Sequence, residues 1–233
     1  MAHPVLEVQL IARQPAGIWP SSEKCPLRQF EAIWLMLGPK KKSGHWSISM
    51  KKLRKVIVYI ATSADGFIAR ADGAVEWLDR PRPKGNYGMG AFYNSIDTIL
   101  WGRKTCDMAL DFQKKGVTGS SFDTKVKNYV FTRGALPSAA PAGVEFVKEP
   151  IKEFTARLRR QKGKDIWMMG GAGIIASFLD EGEIDEFMIH VVPKFIGEGI
   201  PLIAPARRTI ALKLISSTKF PDGVVRLHYG VAR

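Results

Sequence analysis

Runs of apolar, β-branched and aromatic residues alternate with amphipathic stretches from Lys55 to the end of the chain. An unbroken apolar run is typical of a strand buried on both faces, whereas apolar positions three and four residues apart indicate a helix. The pattern predicts helices at Ile151–Gln161 and Ile174–Glu181, the second ending before Gly182. It predicts strands at Lys55–Thr62, Ser95–Trp101, Asn128–Thr132, Val144–Val147, Asp165–Met169, Phe187–Val192, Ala211–Thr218 and Val224–Val231.

The order of these elements indicates an α/β fold. Strands and helices alternate, and the last two strands are separated by the turn sequence Lys219–Gly223, so we expect them to form a hairpin. The pattern therefore predicts a mixed, mainly parallel sheet flanked by helices on both faces, with a C-terminal antiparallel hairpin. We expect one domain that extends over residues 50–233.

Residues 1–49 have a different pattern. They show no clear period and carry five prolines, the last of which precedes the run Lys40–Lys42. A secretory signal or a transit peptide does not fit, because the start is not basic and three acids occur. We interpret this stretch as a disordered extension, or as upstream sequence translated from a start codon set too early, since Met50 followed by two lysines resembles a natural start.

Composition limits the classes of protein that fit. The 233 residues are 45% hydrophobic and 24% charged, as in ordinary globular proteins, and no apolar run reaches the roughly 18 residues of a membrane span. Two cysteines cannot build a disulfide framework, which favours a reducing, cytoplasmic setting, and no Cys/His spacing indicates a metal site. The net charge of +13 suits a nucleic acid, an anionic membrane surface or a polyphosphate ligand.

Four segments that follow predicted strands could bind a ligand, since ligands of open α/β sheets bind beyond the carboxyl ends of strands. The first, Ala61–Ala69, contains the turn pair Asp65-Gly66. It is either an ordinary tight loop or a loop that covers a ligand, with Trp77 packing at its far end. The fourth, Ile166–Ile175, has three glycines within four residues between a strand and a helix, where a pyrophosphate could approach the backbone.

The second and third segments add positive charge. Gly102–Cys106 opens a helix with Arg103 and Lys104, which could bind a phosphate or could be an exposed basic helix start. Thr132–Gly134 ends the third strand with a hydroxyl and a guanidinium, which could bind another phosphate. A polar exit from the strand explains that segment equally well.

Taken in this order, the four segments resemble the dihydrofolate reductase superfamily. More closely they resemble its bacterial branch, which includes the riboflavin-pathway (5-amino-6-(5-phosphoribosylamino)uracil) reductase domain. The resemblance extends over residues 52–232, and residues 1–49 have no counterpart in it. It implies a dihydrofolate reductase-like fold, NADPH as the cofactor and a homodimer.

The resemblance also implies roles for individual residues. Ala61 and Ile68 would flank the nicotinamide, and Arg103 would contact the adenosine 2′-phosphate. Gly170 and Gly171, which a cis peptide joins in the family, would lie under the nicotinamide riboside and the pyrophosphate. The full set of implied cofactor contacts is Ala61, Ile68, Gly102, Arg103, Lys104, Thr105, Thr132, Arg133, Gly170, Gly171, Ala172, Gly173, Ile174 and Ile175.

Fewer residues point to the substrate. Trp77, Phe92 and Tyr93 are candidates for the wall of an aromatic substrate pocket, and core packing explains them equally well. Asp65 is a candidate substrate contact and proton donor, and an ordered water could serve instead. Dihydrofolate reductases place a carboxylate in the helix before the second strand, but residues 86–94 contain no acid, which argues against dihydrofolate as the substrate.

The sequence therefore predicts an NADPH-dependent reductase that transfers a hydride to a C=N or C=O bond of a pterin- or pyrimidine-like small molecule. One alternative is a relative that binds NADPH without reducing a substrate and acts as a regulator. Another is a basic nucleic-acid-binding protein, but most basic clusters lack aromatic neighbours and no reading helix is recognisable. We expect a small-molecule substrate as the partner, with no metal, nucleic acid or membrane.

Overall fold

The computed structural model describes residues 53–114, 122–136 and 140–232, so the predicted extension at residues 1–49 lies outside the described residues. The helices are α1 Met89–Asn94, α2 Arg103–Lys114, α3 Ile151–Arg160 and α4 Ala172–Asp180. The strands are β1 Val56–Ser63, β2 Phe67–Ala69, β3 Ile96–Gly102, β4 Lys127–Phe131, β5 Val144–Val147, β6 Asp165–Gly170, β7 Glu186–Val192, β8 Ile200–Pro201, β9 Leu212–Lys219 and β10 Val225–Val231.

Eight strands of the described ranges form one sheet, in the order β5-β4-β3-β6-β1-β7-β10-β9. The strands from β5 to β7 in that order are mutually parallel. β10 runs antiparallel both to β7 and to β9. The predicted mixed, mainly parallel sheet with a C-terminal antiparallel hairpin is therefore confirmed.

Apolar layers attach helices to both faces of this sheet. On one face Val58 of β1 packs in a cluster with Phe154 of α3 and with residues of α4. The next residue of the strand, Tyr59, points to the other face and packs with Phe92 of α1 and Cys106 of α2. Burying a side chain of this size stabilises the fold by about 1.5–3 kcal/mol, which explains why β1 has an unbroken apolar run.

The structure differs from the predicted elements mainly in short segments. β2 and β8 pair with each other as a separate two-stranded sheet, and with three and two residues they are too short to show a period. Helix α4 begins at Ala172, two residues before the predicted start, because its small first residues carry no apolar period. A 3₁₀ turn precedes α1, and in it Asn86 and Tyr87 have φ of 44° and 58°. Over the described ranges, no helix has the length and apolar character needed to cross a membrane.

Candidate functional site

The carboxyl ends of β3 and β6 lie side by side, with Trp101 opposite Gly170. Each strand leads directly into a helix, β3 into α2 at Arg103 and β6 into α4 through Gly171. The first turn of an α-helix has backbone N–H groups without partners inside the helix, and the helix dipole makes that end positive. The N-terminal ends of α2 and α4, which carry the positive ends of their helix dipoles, therefore lie at the same edge of the sheet.

Glycines at this edge allow the two strand exits to approach closely. A Cβ atom added at Gly102 would lie 3.1 Å from Ile174 Cγ2 and 3.4 Å from both Gly170 O and Gly171 N. A Cβ atom added at Gly171 would lie 3.2 Å from Thr105 Oγ1. The distances of 3.1 and 3.2 Å are shorter than ordinary van der Waals contact, so a side chain at Gly102 or Gly171 would require Ile174 or Thr105 to shift by a few tenths of an ångström.

The first turn of α4 leaves space for a ligand. A Cβ atom added at Gly173 would meet no atom within 4 Å, and this residue is exposed. The N-cap residue Gly171 makes no side-chain capping bond, and its peptide bond to Gly170 is cis, as the resemblance implied. An open helix start with accessible backbone N–H groups can bind an anion, so these residues fit a dinucleotide pyrophosphate.

Arg103 begins α2 with its side chain half-buried. Its Nε donates hydrogen bonds to Asp107 Oδ1 at 2.8 Å and to Asp107 Oδ2 at 3.0 Å. Its guanidinium carbon lies 5.4 Å from the centre of the Phe146 ring on β5. The Arg103 and Asp107 side chains are 37% and 48% exposed, so their ion pair is weak and a phosphate could replace it.

Thr132 and Arg133 follow β4, which is the neighbour of β3 in the sheet. The Thr132 N–H donates to Val147 O at 3.1 Å, and its Oγ1 accepts a bond from the Gly134 N–H at 3.2 Å. The hydroxyl therefore stabilises a local turn, while the Arg133 side chain is exposed and faces solvent. Both residues lie one strand beyond the edge that contains Gly102, Gly170, Gly171 and Gly173, which we call the glycine edge.

Asp65 links two loops at the carboxyl end of β1. Its carboxylate accepts hydrogen bonds from the Gly197 N–H at 2.8 Å and the Ile196 N–H at 3.1 Å. A hydrogen bond from the Ser63 hydroxyl, together with these backbone bonds, holds the pKa of Asp65 below its usual range. The carboxyl group is thus ionised at neutral pH, which suits a structural link better than a proton donor.

Trp77 is buried beside the residue predicted to flank the nicotinamide. It is 3% exposed and packs against Val192 and Val224, in a cluster to which the half-buried Ala61 and Ile196 also belong. Its Nε1 has no hydrogen-bond partner among the described residues. Trp77 therefore packs in the same cluster as Ala61, at the start of the loop Ala61–Ala69, and its predicted substrate contact stays a prediction.

Phe92 and Tyr93 lie apart from Trp77. The Phe92 ring stacks on Tyr59 at 4.2 Å and meets Trp167 edge-on at 5.5 Å, so for Phe92 the core-packing alternative holds. The Tyr93 hydroxyl donates to Asp123 Oδ2 at 2.9 Å, and burial, with that bond, raises its pKa to about 12. Trp77 belongs to a different apolar cluster from Phe92 and Tyr93, and a substrate pocket shared by the three residues stays a prediction.

Sequence reasoning missed two polar residues, His190 of β7 and Arg226 of β10, that lie in register with Ala61 of β1. Ala61 lies opposite His190, and His190 lies opposite Arg226. His190 is 5% exposed, and burial, with the nearby charge of Arg226, lowers its pKa to about 4. The signal that could have revealed it is a histidine within the otherwise apolar strand Phe187–Val192.

We find no better candidate for a functional site than the glycine edge among the metal-binding groups and pockets of the described residues. The described residues contain no group of three or more His, Cys, Asp or Glu side chains that could hold a metal ion. An apolar pocket of about 200 Å³ involves none of the predicted site residues; its lining includes Phe187, Ile189, Leu202 and Ile210. The only polar side chain in its lining is that of Arg208, which Asp180 neutralises. We therefore place the candidate site at the glycine edge.

Comparison of the sequence with known proteins identifies the family to which the chain is similar. The sequence profile of the RibD C-terminal domain matches residues 54–226. The uncharacterized protein YwjB of Bacillus subtilis (strain 168) is 39% identical over 177 residues, which cover 76% of this chain and 97% of that protein.

Comparison with solved structures identifies proteins that share the fold of this chain. A protein of proposed riboflavin biosynthesis function from Shewanella sp. PV-4 has a TM-score of 0.66 and 28% identity, covering 77% of this chain and 99% of that chain. A dihydrofolate reductase from Enterococcus faecalis, complexed with NADP(H), has a TM-score of 0.54 and 14% identity, covering 77% and 97%. The expected dihydrofolate reductase-like fold is therefore confirmed.

Proposed function

Since the chain belongs to the RibD C-terminal domain family, we propose that it is an NADPH-dependent reductase of a pterin- or pyrimidine-like small molecule. The observation that carries this proposal is the glycine edge, where two helix starts meet and the first turn of α4 is open above Gly173. The Enterococcus faecalis protein with the same fold was solved with NADP(H), which supports the same class of cofactor here.

We propose that different parts of the edge bind different parts of the cofactor. The backbone at Gly102, Gly171 and Gly173 would hold the pyrophosphate, because these residues keep side chains away from both helix starts. Ala61 and Ile68 would flank the nicotinamide, and the Ile68 Cδ1 atom does lie 4.0 Å from the Cβ position of Gly171. When bound, NADPH supplies the hydride.

The chain itself must orient the substrate and exclude bulk water. Trp77 packs in one cluster with Ala61, so we propose that it supports the residue predicted to flank the nicotinamide. Reduction of a C=N or C=O bond also needs one proton. Because Asp65 is ionised and tied to two backbone N–H groups, an ordered water is the better source of that proton.

The test is a screen of NADPH oxidation, monitored as the loss of absorbance at 340 nm, against a panel of reducible pterins and pyrimidines that includes dihydrofolate. We expect turnover with at least one panel member and little with dihydrofolate, because residues 86–94 contain no carboxylate. Tight NADPH binding with no turnover on any compound would instead favour the regulator hypothesis.

We further propose that the chain forms homodimers. Strand β9 is at the edge of the sheet, and its Leu212, Leu214 and Ile215 side chains are 45%, 53% and 51% exposed. An exposed apolar edge strand is a surface that proteins usually cover. The molar mass in solution, measured by light scattering, tests this proposal, and a monomer at micromolar concentration would contradict it.

A further inference from the structure

The segment before α1 contains a short left-handed turn. Its four consecutive residues Gly85, Asn86, Tyr87 and Gly88 have φ of 85°, 44°, 58° and 84°. Left-handed backbone is unfavourable for a residue with a side chain, above all for a bulky one such as tyrosine. The turn is therefore strained, and contacts with other segments must hold it in this conformation.

The short contacts of this segment go to Asp222, in the turn between β9 and β10. The Tyr87 hydroxyl donates to Asp222 Oδ2 at 2.5 Å, which holds the pKa of Asp222 below its usual range and keeps the carboxyl group ionised at neutral pH. Arg80 Nη2 lies 3.2 Å from the same oxygen atom and donates to Asp222 O at 2.5 Å. By contrast, the bonds that Tyr87 O accepts from the Tyr59 hydroxyl and from Arg226 are both 3.4 Å long. Asp222 is therefore the main anchor of the turn.

The Tyr87 ring lies next to the predicted nicotinamide position. It packs on the cluster of Trp77, to which Ala61 also belongs. Its centre is 5.9 Å from that of the His190 ring and, edge-on, 5.1 Å from that of Phe220. A molecule that is to lie against a nicotinamide beside Ala61 must therefore pass or displace this ring.

The sequence around the turn suits movement as a unit. Pro81 and Pro83 fix their own φ angles, so the residues that lead into the turn form a stiff arm. Gly85 and Gly88 border the two strained residues, and glycine passes between left-handed and right-handed φ without a steric penalty. A Cβ atom added at Gly85 would meet no atom within 4 Å, so the turn is not packed tightly at this point. A stiff arm next to glycines is a typical hinge arrangement.

We propose that residues 80–88 form a gate over the predicted substrate position, which Asp222 holds closed and which opens for substrate to enter and product to leave. The inference rests on the proposed reductase function for the identity of the space behind Tyr87, but not for the opening itself. The strain of the turn favours opening, because Asn86 and Tyr87 return to ordinary backbone angles once their contacts with Asp222 are broken.

Limited proteolysis of the full chain tests whether the gate opens. Trypsin cleaves after lysine and needs an extended segment, so the bond between Lys84 and Gly85 is cleaved only when the turn opens, and mass spectrometry of the peptide that begins at Gly85 gives the rate. Tyr87→Phe keeps the ring but removes the hydroxyl, and it should raise this rate about tenfold. The matched control Tyr93→Phe removes another tyrosine–aspartate bond, of 2.9 Å to Asp123, and should leave the rate unchanged.

A pair of glycine variants tests the role of the left-handed backbone. Gly85→Ala places a side chain at φ of 85° without any close contact, so strain alone should raise cleavage after Lys84 about tenfold. Gly90→Ala adds the same methyl group inside α1, also without a close contact, and should not raise it. Unchanged rates in both Tyr87→Phe and Gly85→Ala would overturn the gate. So would an equal rise in cleavage after Lys152 on α3, which reports unfolding of the whole domain.

A chemical probe tests what the gate covers. Phenazine methosulfate takes up the hydride of NADPH and is itself reduced; with the protein in excess, it must reach the bound nicotinamide, and the loss of NADPH absorbance gives the rate. Tyr87→Phe and Gly85→Ala should raise this rate by the same factor as the tryptic cleavage. Faster cleavage without faster oxidation would overturn the assignment of the gate to this site. Failure of NADPH to bind would overturn the reductase proposal, whereas the cleavage rates would still decide whether the gate opens.

Discussion

The side chain of Arg103 is held by contacts that a phosphate could replace. Its ion pair with Asp107 is exposed, and its stacking distance of 5.4 Å from Phe146 leaves the guanidinium edge accessible. A fork of N–H donors matches the geometry of a phosphate, which the neighbouring Lys104 can attract only as a point charge. We therefore retain Arg103 as the proposed determinant of NADPH over NADH.

Arg103→Ala should weaken NADPH binding about tenfold to hundredfold and leave NADH binding nearly unchanged, because only NADPH carries the 2′-phosphate. Fluorescence titration of both cofactors measures this. The matched control is Arg157→Ala, which removes a similarly exposed arginine that also lies over a phenylalanine ring, at 5.0 Å, but on α3. Equal losses for the two cofactors would mean that Arg103 holds the pyrophosphate or the fold.

His190 should make the stability of the protein depend on pH. Its pKa is about 4 in the folded state, against about 6.5 when exposed, so its contribution is complete above pH 6.5 and is lost as the pH falls towards 4. Between pH 7 and pH 5 we expect the free energy of unfolding to fall by about 2 kcal/mol. The pKa values of Asp65 and Asp222 are lowered from an ordinary value of 3.8, so the stability that these carboxyl groups contribute is lost mainly below pH 5, outside this window.

Urea unfolding of the unmutated protein and of His190→Gln at both pH values measures this effect. The variant should be less stable at pH 7 but should lose less stability on acidification, because glutamine does not titrate. The same loss in both proteins would show that other groups cause it.

At the scale of elements, the junction from β6 to α4 determines the proposed pyrophosphate site. Gly173→Ala should raise the melting temperature slightly, since alanine is up to about 1 kcal/mol better than glycine in a helix and nothing lies within 4 Å of the new Cβ. The same methyl group should weaken NADPH binding, because it occupies the space above the helix start. Stability and affinity therefore change in opposite directions.

The variant Gly102→Ala should behave differently from Gly173→Ala. Its Cβ would lie 3.1 Å from Ile174 and close to two backbone atoms, so we expect both the melting temperature and the affinity to fall. Differential scanning calorimetry and NADPH titration of both variants distinguish the two effects. If Gly173→Ala bound NADPH as well as the unmutated protein does, the pyrophosphate would have to lie elsewhere.

Most helices and strands were predictable because burial requires apolar residues at regular positions along them. β1, β3 and β6 are apolar runs since both faces of the sheet are covered, and the glycines at the ends of β3 and β6 indicated the candidate site. Contacts between distant segments were not predictable from local pattern. The pairing of β2 with β8, the link from Asp65 to Gly197 and the register of Ala61 with His190 and Arg226 depend on the order of strands in the sheet.

At the scale of the whole molecule, we propose that residues 50–233 form the functional unit. The described strands and helices begin at Val56 and end at Val231, and the family profile matches residues 54–226. A protein that begins at Met50 should therefore melt cooperatively and bind NADPH with unchanged affinity. Calorimetry of the full and the shortened chains tests this, and loss of a cooperative transition would show that residues 1–49 belong to the core.

The central claim is that the edge formed by β3, β6 and their two helices binds NADPH, and a titration of the full chain with NADPH and NADH tests it most directly. We expect saturable binding of NADPH, followed by cofactor fluorescence, with NADH weaker by about tenfold or more. Absence of binding for both cofactors would contradict the account.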